Sequence, residues 1–189
     1  RDLHSFPTRR SSDLMILDKA KQKGTGKWTS QNAMDLGIPV PSIDIAVSMR
    51  EISAFKDMRM ETEKLYEKPN PADVDKDQFT AKMEQALYFS FIITYAQGLQ
   101  QLVEASEEYG YELNMSEVAK IWRAGCIIRA ALLDDISKTF SANNKLKNIV
   151  MAPAFVEKLK GTVSATREVV AYGATYGIPL PGLSNSLTY

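Results

Sequence analysis

The sequence holds one cysteine, Cys126, and one histidine, His4, among 189 residues. A single cysteine excludes an internal disulfide and a cysteine-rich zinc site, and it fits a reducing, cytoplasmic setting. Charge of one sign is also missing, because 23 basic side chains face 23 acidic ones. No net field therefore favours nucleic acid or an anionic membrane, and any anion site must be local. The longest apolar window, "ALYFSFIITYAQGLQQLV" (86–103), carries Ser90, Thr94, Gln97, Gln100 and Gln101. It is short of the ~20 apolar residues that a membrane span needs and reads as a buried helix. Strand-like alternation, internal repeats and low-complexity tracts are absent too.

The first 14 residues, "RDLHSFPTRRSSDL", are polar, have no helical period and lack the apolar stretch of a secretory signal. They read as a foreign or disordered leader, with the folded unit spanning 15–189. That unit then contains no histidine, so acid–base chemistry in it would fall to Lys, Asp, Glu or Tyr.

The folded unit reads as all-α. A helix end at 15–22 stops at Gly24 and Gly26, and Ser30 caps a short helix that Gly37 and Pro39 terminate. A longer helix runs from Ser42 to about Tyr66, with Ile45, Met49, Ile52 and Phe55 on one stripe. After the loop "EKPNPAD", Asp75 or Asp77 caps a helix over 78–108, whose apolar middle calls for other helices around it. Asn114 or Ser116 caps "EVAKIW", "CIIRAALLDDISKTF" forms a helix after Gly125, and 153–176 forms the last one, closed by Gly177 and Pro179.

One stretch looks made for a phosphate: "KGTGKWT" (23–29). It is not a nucleotide phosphate loop. That motif needs G-x-x-x-x-G-K-[ST] after a strand, whereas here Trp28 follows Lys27 and Lys21 stands where the first glycine belongs. A dinucleotide fingerprint fails as well, for want of a third glycine and a βαβ unit. What remains is a basic loop entering a helix, whose lysines and N–H groups can hold an anion. From spacing alone, a solvated Gly-Lys turn is the stronger reading. Trp28 is expected to anchor the loop against the core.

Three strings go further. "QKGTGKWTSQNAMDLGIPVP" (22–41), "TYAQG" (94–98) and "KIWRAGCIIRA" (120–130) closely resemble the 6-phosphogluconate dehydrogenase family. The resemblance runs from about residue 15 to 189. It implies a helical C-terminal domain, without the N-terminal Rossmann domain, of a homodimeric, cytoplasmic enzyme of the pentose phosphate pathway and gluconate utilisation. The family oxidises 6-phosphogluconate with NADP (NAD in some members) and decarboxylates it to ribulose 5-phosphate.

By resemblance, Lys23 and Thr25 of the loop bind substrate, and Arg50 in "AVSMREIS" binds its phosphate. Ser48-Met49 departs from the family's usual residues just before that arginine. The physics is compatible, since Arg50 adjoins the apolar stripe and a planar guanidinium can hold phosphate oxygens bidentately. Without the resemblance, Arg50 reads as a surface arginine. Arg123 and Arg129 read equally well as partners of acids such as Asp134 or Asp135. Cys126 reads as a buried thiol, Trp122, Tyr88 and Phe91 as core, and the acid pair 134–135 as solvated rather than metal-binding.

The family's lysine and glutamate acid–base motif, K-x-x-H-N-G-I-E-Y, does not occur in this sequence, nor does its phosphate-binding "RDYFGAHTY". The expectation is therefore a fragment with no catalytic residue, no cofactor-binding residue and no metal ligand, supplying part of a substrate pocket and a dimer interface, and inactive by itself. Two other readings stay open: a helical dimerisation scaffold that binds no ligand, and an unrelated nucleotide-binding helical module.

Overall fold

The computed structural model describes residues 17–21, 23–67 and 69–189. The expected leader, including His4, lies outside these residues. Among the described residues there are eight α-helices, one short 3-10 turn and no strand, as the all-α reading expects.

The long helix organises the rest. Asp75 accepts the Gln78 N–H at 2.9 Å and starts α4 (Lys76–Tyr109), which Gly110 ends in the left-handed conformation. Its 34 residues contain no proline and reach about 51 Å at the α-helical rise. Around its middle, Phe89, Ile92, Ile93, Ala96 and Leu99 are buried. Of these, Ile92, Ala96 and Leu99 form one core with Met115 and Ala119 of α5 (Met115–Ile121), Leu133, Ile136 and Phe140 of α6 (Leu132–Ala142), and Phe155 of α7 (Pro153–Thr175). Each fully buried Leu, Ile or Phe there contributes about 1.5–3 kcal/mol of transfer free energy. Asn114 caps α5, and Pro153 opens α7 at a position where its missing N–H costs nothing. Tyr88 and Trp122 pack against this core half-buried, but Phe91 is 53% exposed, contrary to its reading as core.

Several boundaries differ from the sequence reading. Residues 17–21 form no helix end. Their polar groups are taken by side chains of the next segments: the Ala20 N–H donates to Ser53 Oγ at 2.9 Å, and Arg59 Nη2 donates to the Asp18 carbonyl at 3.0 Å. The expected 42–66 helix is two, α2 (Pro41–Ala54) and α3 (Lys56–Glu63), broken at Phe55 without glycine or proline. At the break, Ser53 Oγ donates to the Arg50 carbonyl at 2.6 Å while Arg59 takes the Ser53 carbonyl at 3.2 Å. Side chains have replaced backbone N–H groups as partners of the helix. As a result the apolar stripe is only half covered: Ile45 and Met49 are half-buried, but Ile52 and Phe55 are exposed.

The helix expected to begin just after Gly125 starts only at Leu132. Residues 123–131 are turns, with Gly125 at φ 70°. Beyond Pro179 the chain forms α8 (Pro181–Thr188), which the sequence reading did not anticipate. It packs on α2 and α4, and Ser186 meets the Ser42 hydroxyl at 2.9 Å.

Candidate functional site

The phosphate-like stretch is the start of a helix rather than a free loop. The first helix, α1, spans Thr25–Asp35, six residues earlier than an N-cap at Ser30 implies. Gly24 caps it at φ 112°, where a side chain is strained, and the Trp28 indole lies over it. A Cβ on Gly24 would stand 3.0 Å from the indole, and one on Gly26 would stand 2.9 Å from Val47 of α2. Both glycines thus have a packing reason. Trp28 does not anchor the corner in the core. It is 63% exposed and folds back on Gly24 instead.

A largely apolar cavity of about 740 Å³ opens beside this corner. Thr25 and Thr29 of α1, Ile43 of α2, Phe91, Thr94, Tyr95, Gly98, Gln101 and Leu102 of α4, and Trp122 with Ile127, Ile128, Arg129 and Ala130 line it. Two strings that carry the family resemblance, 94–98 and 120–130, therefore face one space. The Tyr95 hydroxyl donates to the Ile128 carbonyl and holds the 123–131 turn against α4. Burial, and secondarily Cys126, push the Tyr95 phenol up, so it remains a protonated donor at neutral pH. Cys126 itself is half-buried, not buried as expected, and Ile127 is fully exposed.

Of the three expected substrate residues, Thr25 lines the cavity and Lys23 and Arg50 do not. Arg50 is exposed on α2 and donates from Nη2 to the Lys21 carbonyl, rather than pointing into a cleft. Lys21 lies two residues before Lys23 in the sequence. A guanidinium has five N–H donors, and the Lys21 carbonyl takes one of them. The corner also carries Lys21 and Lys27, and the first turn of α1 has no acidic residue. Its positive helix end is thus not cancelled locally. The arrangement can hold an anion against a partly apolar wall.

The neighbouring acids are engaged elsewhere. Asp134 pairs with Arg123, and Asp135 meets Lys158 at 3.2 Å, so the acid pair is held by cations rather than merely solvated. Among the described residues, no three His, Cys, Asp or Glu side chains are grouped to hold a metal ion. No helix among them is long and apolar enough to cross a membrane.

Comparison with known proteins decides the family. The pattern of the "6-phosphogluconate dehydrogenase, C-terminal domain" matches residues 8–189. The chain belongs to this family. It is 46% identical over 177 residues to "6-phosphogluconate dehydrogenase, decarboxylating" of Escherichia coli K12, covering 93% of this chain and 38% of that protein. The protein of the same name from Lactococcus lactis subsp. lactis is 44% identical over 175 residues, with 92% and 37% coverage. Among solved structures, Plasmodium falciparum 6-phosphogluconate dehydrogenase superposes with a TM-score of 0.88 at 41% identity. It covers 93% of this chain and 38% of that one, and it has been solved apo, with NADP+ and with 6-phosphogluconate. The chain thus spans well under half the length of these relatives.

What sequence reasoning missed is the cavity wall. Tyr95, Ile127 and Ile128 sat inside the strings that signalled the family and Gln101 just beyond one of them, but nothing in their spacing showed that they line one cavity.

Proposed function

We propose that this chain is the helical part of a 6-phosphogluconate dehydrogenase, an NADP-dependent oxidoreductase of the pentose phosphate pathway that yields ribulose 5-phosphate. In this reading Lys23, Thr25 and Arg50 hold 6-phosphogluconate. The observation that carries it is the corner itself: Thr25 on the cavity wall, Lys23 two residues before it, and Arg50 bonded to the carbonyl of nearby Lys21.

Chemically, the two long cationic side chains and the first-turn N–H groups neutralise a phosphate, while the Thr25 hydroxyl can donate to a sugar or phosphate oxygen. An arginine can grip two phosphate oxygens at once, and a lysine acts as a point charge beside it. The described residues offer no cradle for a dinucleotide: no strand precedes Gly24, which the Trp28 indole covers, and Gly26 makes room for Val47. NADP therefore does not fit this domain, and no hydride step is assigned to it. These 189 residues also hold no lysine–glutamate acid–base motif, and alone they are expected to turn nothing over.

The working unit is a cytoplasmic homodimer with no nucleic-acid partner. Support for a protein partner is the apolar face of Ile52, Phe55, Met58, Met60, Leu65 and Tyr66, all exposed at the end of α2 and along and after α3. Side chains of this kind in one stretch mark an interaction surface.

Calorimetric titration of 6-phosphogluconate tests the reading. Binding that Arg50→Ala weakens, and that gluconate without its phosphate does not reproduce, supports it. No heat at millimolar ligand would leave the scaffold reading in its place.

A further inference from the structure

The two buried glutamines of α4 face the two helices that carry Thr25 and Arg50. Gln97 meets the start of α2, and Gln101 meets α1. Gln101 is 6% exposed and lines the cavity with Thr25 and Thr29. Its Nε2 donates to the Thr29 carbonyl and to Asn32 Oδ1, both at 2.9 Å. Asn32 Nδ2 in turn donates to the Tyr109 hydroxyl at 3.1 Å, further along α4. On the other side, Thr29 Oγ1 donates to the Thr25 carbonyl at 2.8 Å. Hydrogen bonds thus tie the central helix to Thr29 and Asn32, and Thr29 in turn to Thr25 at the corner.

Packing does little to orient α1 by itself. Only Ser30 and Ala33 of its 11 residues are buried, and Trp28 and Met34 point to solvent. Two small side chains remove little apolar surface from water. The amide clamp carries a correspondingly large share of the positioning.

We propose that Gln101 is a positioning residue, which orients the first turn of α1 so that Thr25 faces the cavity, with Lys23 just ahead of it in the chain. Its functional meaning rests on the sugar-phosphate reading above, while its geometric claim does not.

Gln101→Met keeps the side-chain length and removes both donated bonds. Gln101→Glu also loses the donor at neutral pH but regains it when the carboxyl is protonated. Two measurements on the 189-residue chain decide the matter: amide hydrogen exchange, and titration with 6-phosphogluconate. The Trp28 amide, bonded to the Gly24 carbonyl at 2.8 Å, should exchange about tenfold faster in Gln101→Met, as expected for a lost hydrogen bond. The Ile136 amide of α6 should be unchanged. Gln101→Glu should match Gln101→Met at pH 7.5 and recover toward the wild type at pH 5, each compared with the wild type at the same pH. That recovery separates a positioning amide from a mere space-filling side chain, and it still decides if the methionine variant does not fold.

Affinity for 6-phosphogluconate should fall about three- to tenfold in Gln101→Met. Unchanged Trp28 exchange overturns the positioning role. Faster exchange with unchanged affinity overturns its link to the ligand. A wild type that binds nothing refutes the sugar-phosphate reading, and the exchange data still judge Gln101.

Discussion

Replacing Gln97 by leucine should loosen the attachment of α2 and α8 to the central helix. Gln97 is fully buried, and its Oε1 accepts the Ser42 N–H at 3.0 Å while its Nε2 donates to Ser42 Oγ at 3.1 Å. The Ser42 N–H belongs to the first turn of α2, where no backbone carbonyl is available to it. Ser42 Oγ keeps a second partner, Ser186 Oγ at 2.9 Å, so its loss is partial. Leucine has nearly the same volume, and cavity formation adds little. The cost is then one buried donor left unsatisfied, about 1–3 kcal/mol, plus a weakened hydroxyl at up to ~1 kcal/mol. Together they come to about 1–4 kcal/mol, or a fall in Tm of roughly 2–16 °C for a chain of this size. Urea unfolding followed by circular dichroism reads this directly, with an unchanged m-value showing that the end states are the same. A loss below about 0.5 kcal/mol would refute the reasoning, because it would mean that the Ser42 N–H had found another partner.

Three further outcomes follow from the same structure. Gly24→Ala forces a side chain into a φ of 112° and against the Trp28 ring, so it should cost about 1–3 kcal/mol and shift Trp28 fluorescence. Leu133→Ala empties a fully buried site in the core and should cost about 2–5 kcal/mol in the same urea assay. Asp18 is held below its ordinary value of 3.8 chiefly by its hydrogen bond to Lys56, then by Arg59. A depressed carboxylate stabilises the fold above the unfolded value and loses that contribution as pH falls through the folded one. The 17–21 segment should therefore detach from α3 below about pH 3.8, seen as faster exchange at the Ala20 amide, and Asp18→Asn should show that exchange at neutral pH.

How far the sequence could be read depended on where the deciding partners lay. The long helix was legible because its signals are local: Asp75 before it, no proline inside it, an apolar middle and Gly110 after it. The start of α7 was legible at Pro153 for the same reason. The break at Phe55 was not, since it depends on Arg59 and on Ala20 meeting Ser53 across the fold. At α1, two glycines read as breakers, yet one is a cap and the other makes room for Val47. Trp28 misled because size and apolarity suggest burial, whereas the corner offers it only Gly24. Arg50 was expected to aim its guanidinium into a cleft, but it is exposed and spends one donor on the Lys21 carbonyl, a partner 29 residues away that no local pattern announces. The 123–131 segment has helical composition, but Tyr95 pins one of its carbonyls and its turns form the cavity wall.

The central claim is that one corner of this domain, built from Lys23, Thr25 and Arg50, receives a sugar phosphate. An amide chemical-shift titration of the labelled chain with 6-phosphogluconate tests it most directly. The account predicts saturable shifts at Lys23, Gly24, Thr25 and Gly26, with none at Ile136 in the core of α6, and their loss in Arg50→Ala. Saturable shifts confined to other parts of the chain, or none at all at millimolar ligand, would contradict it.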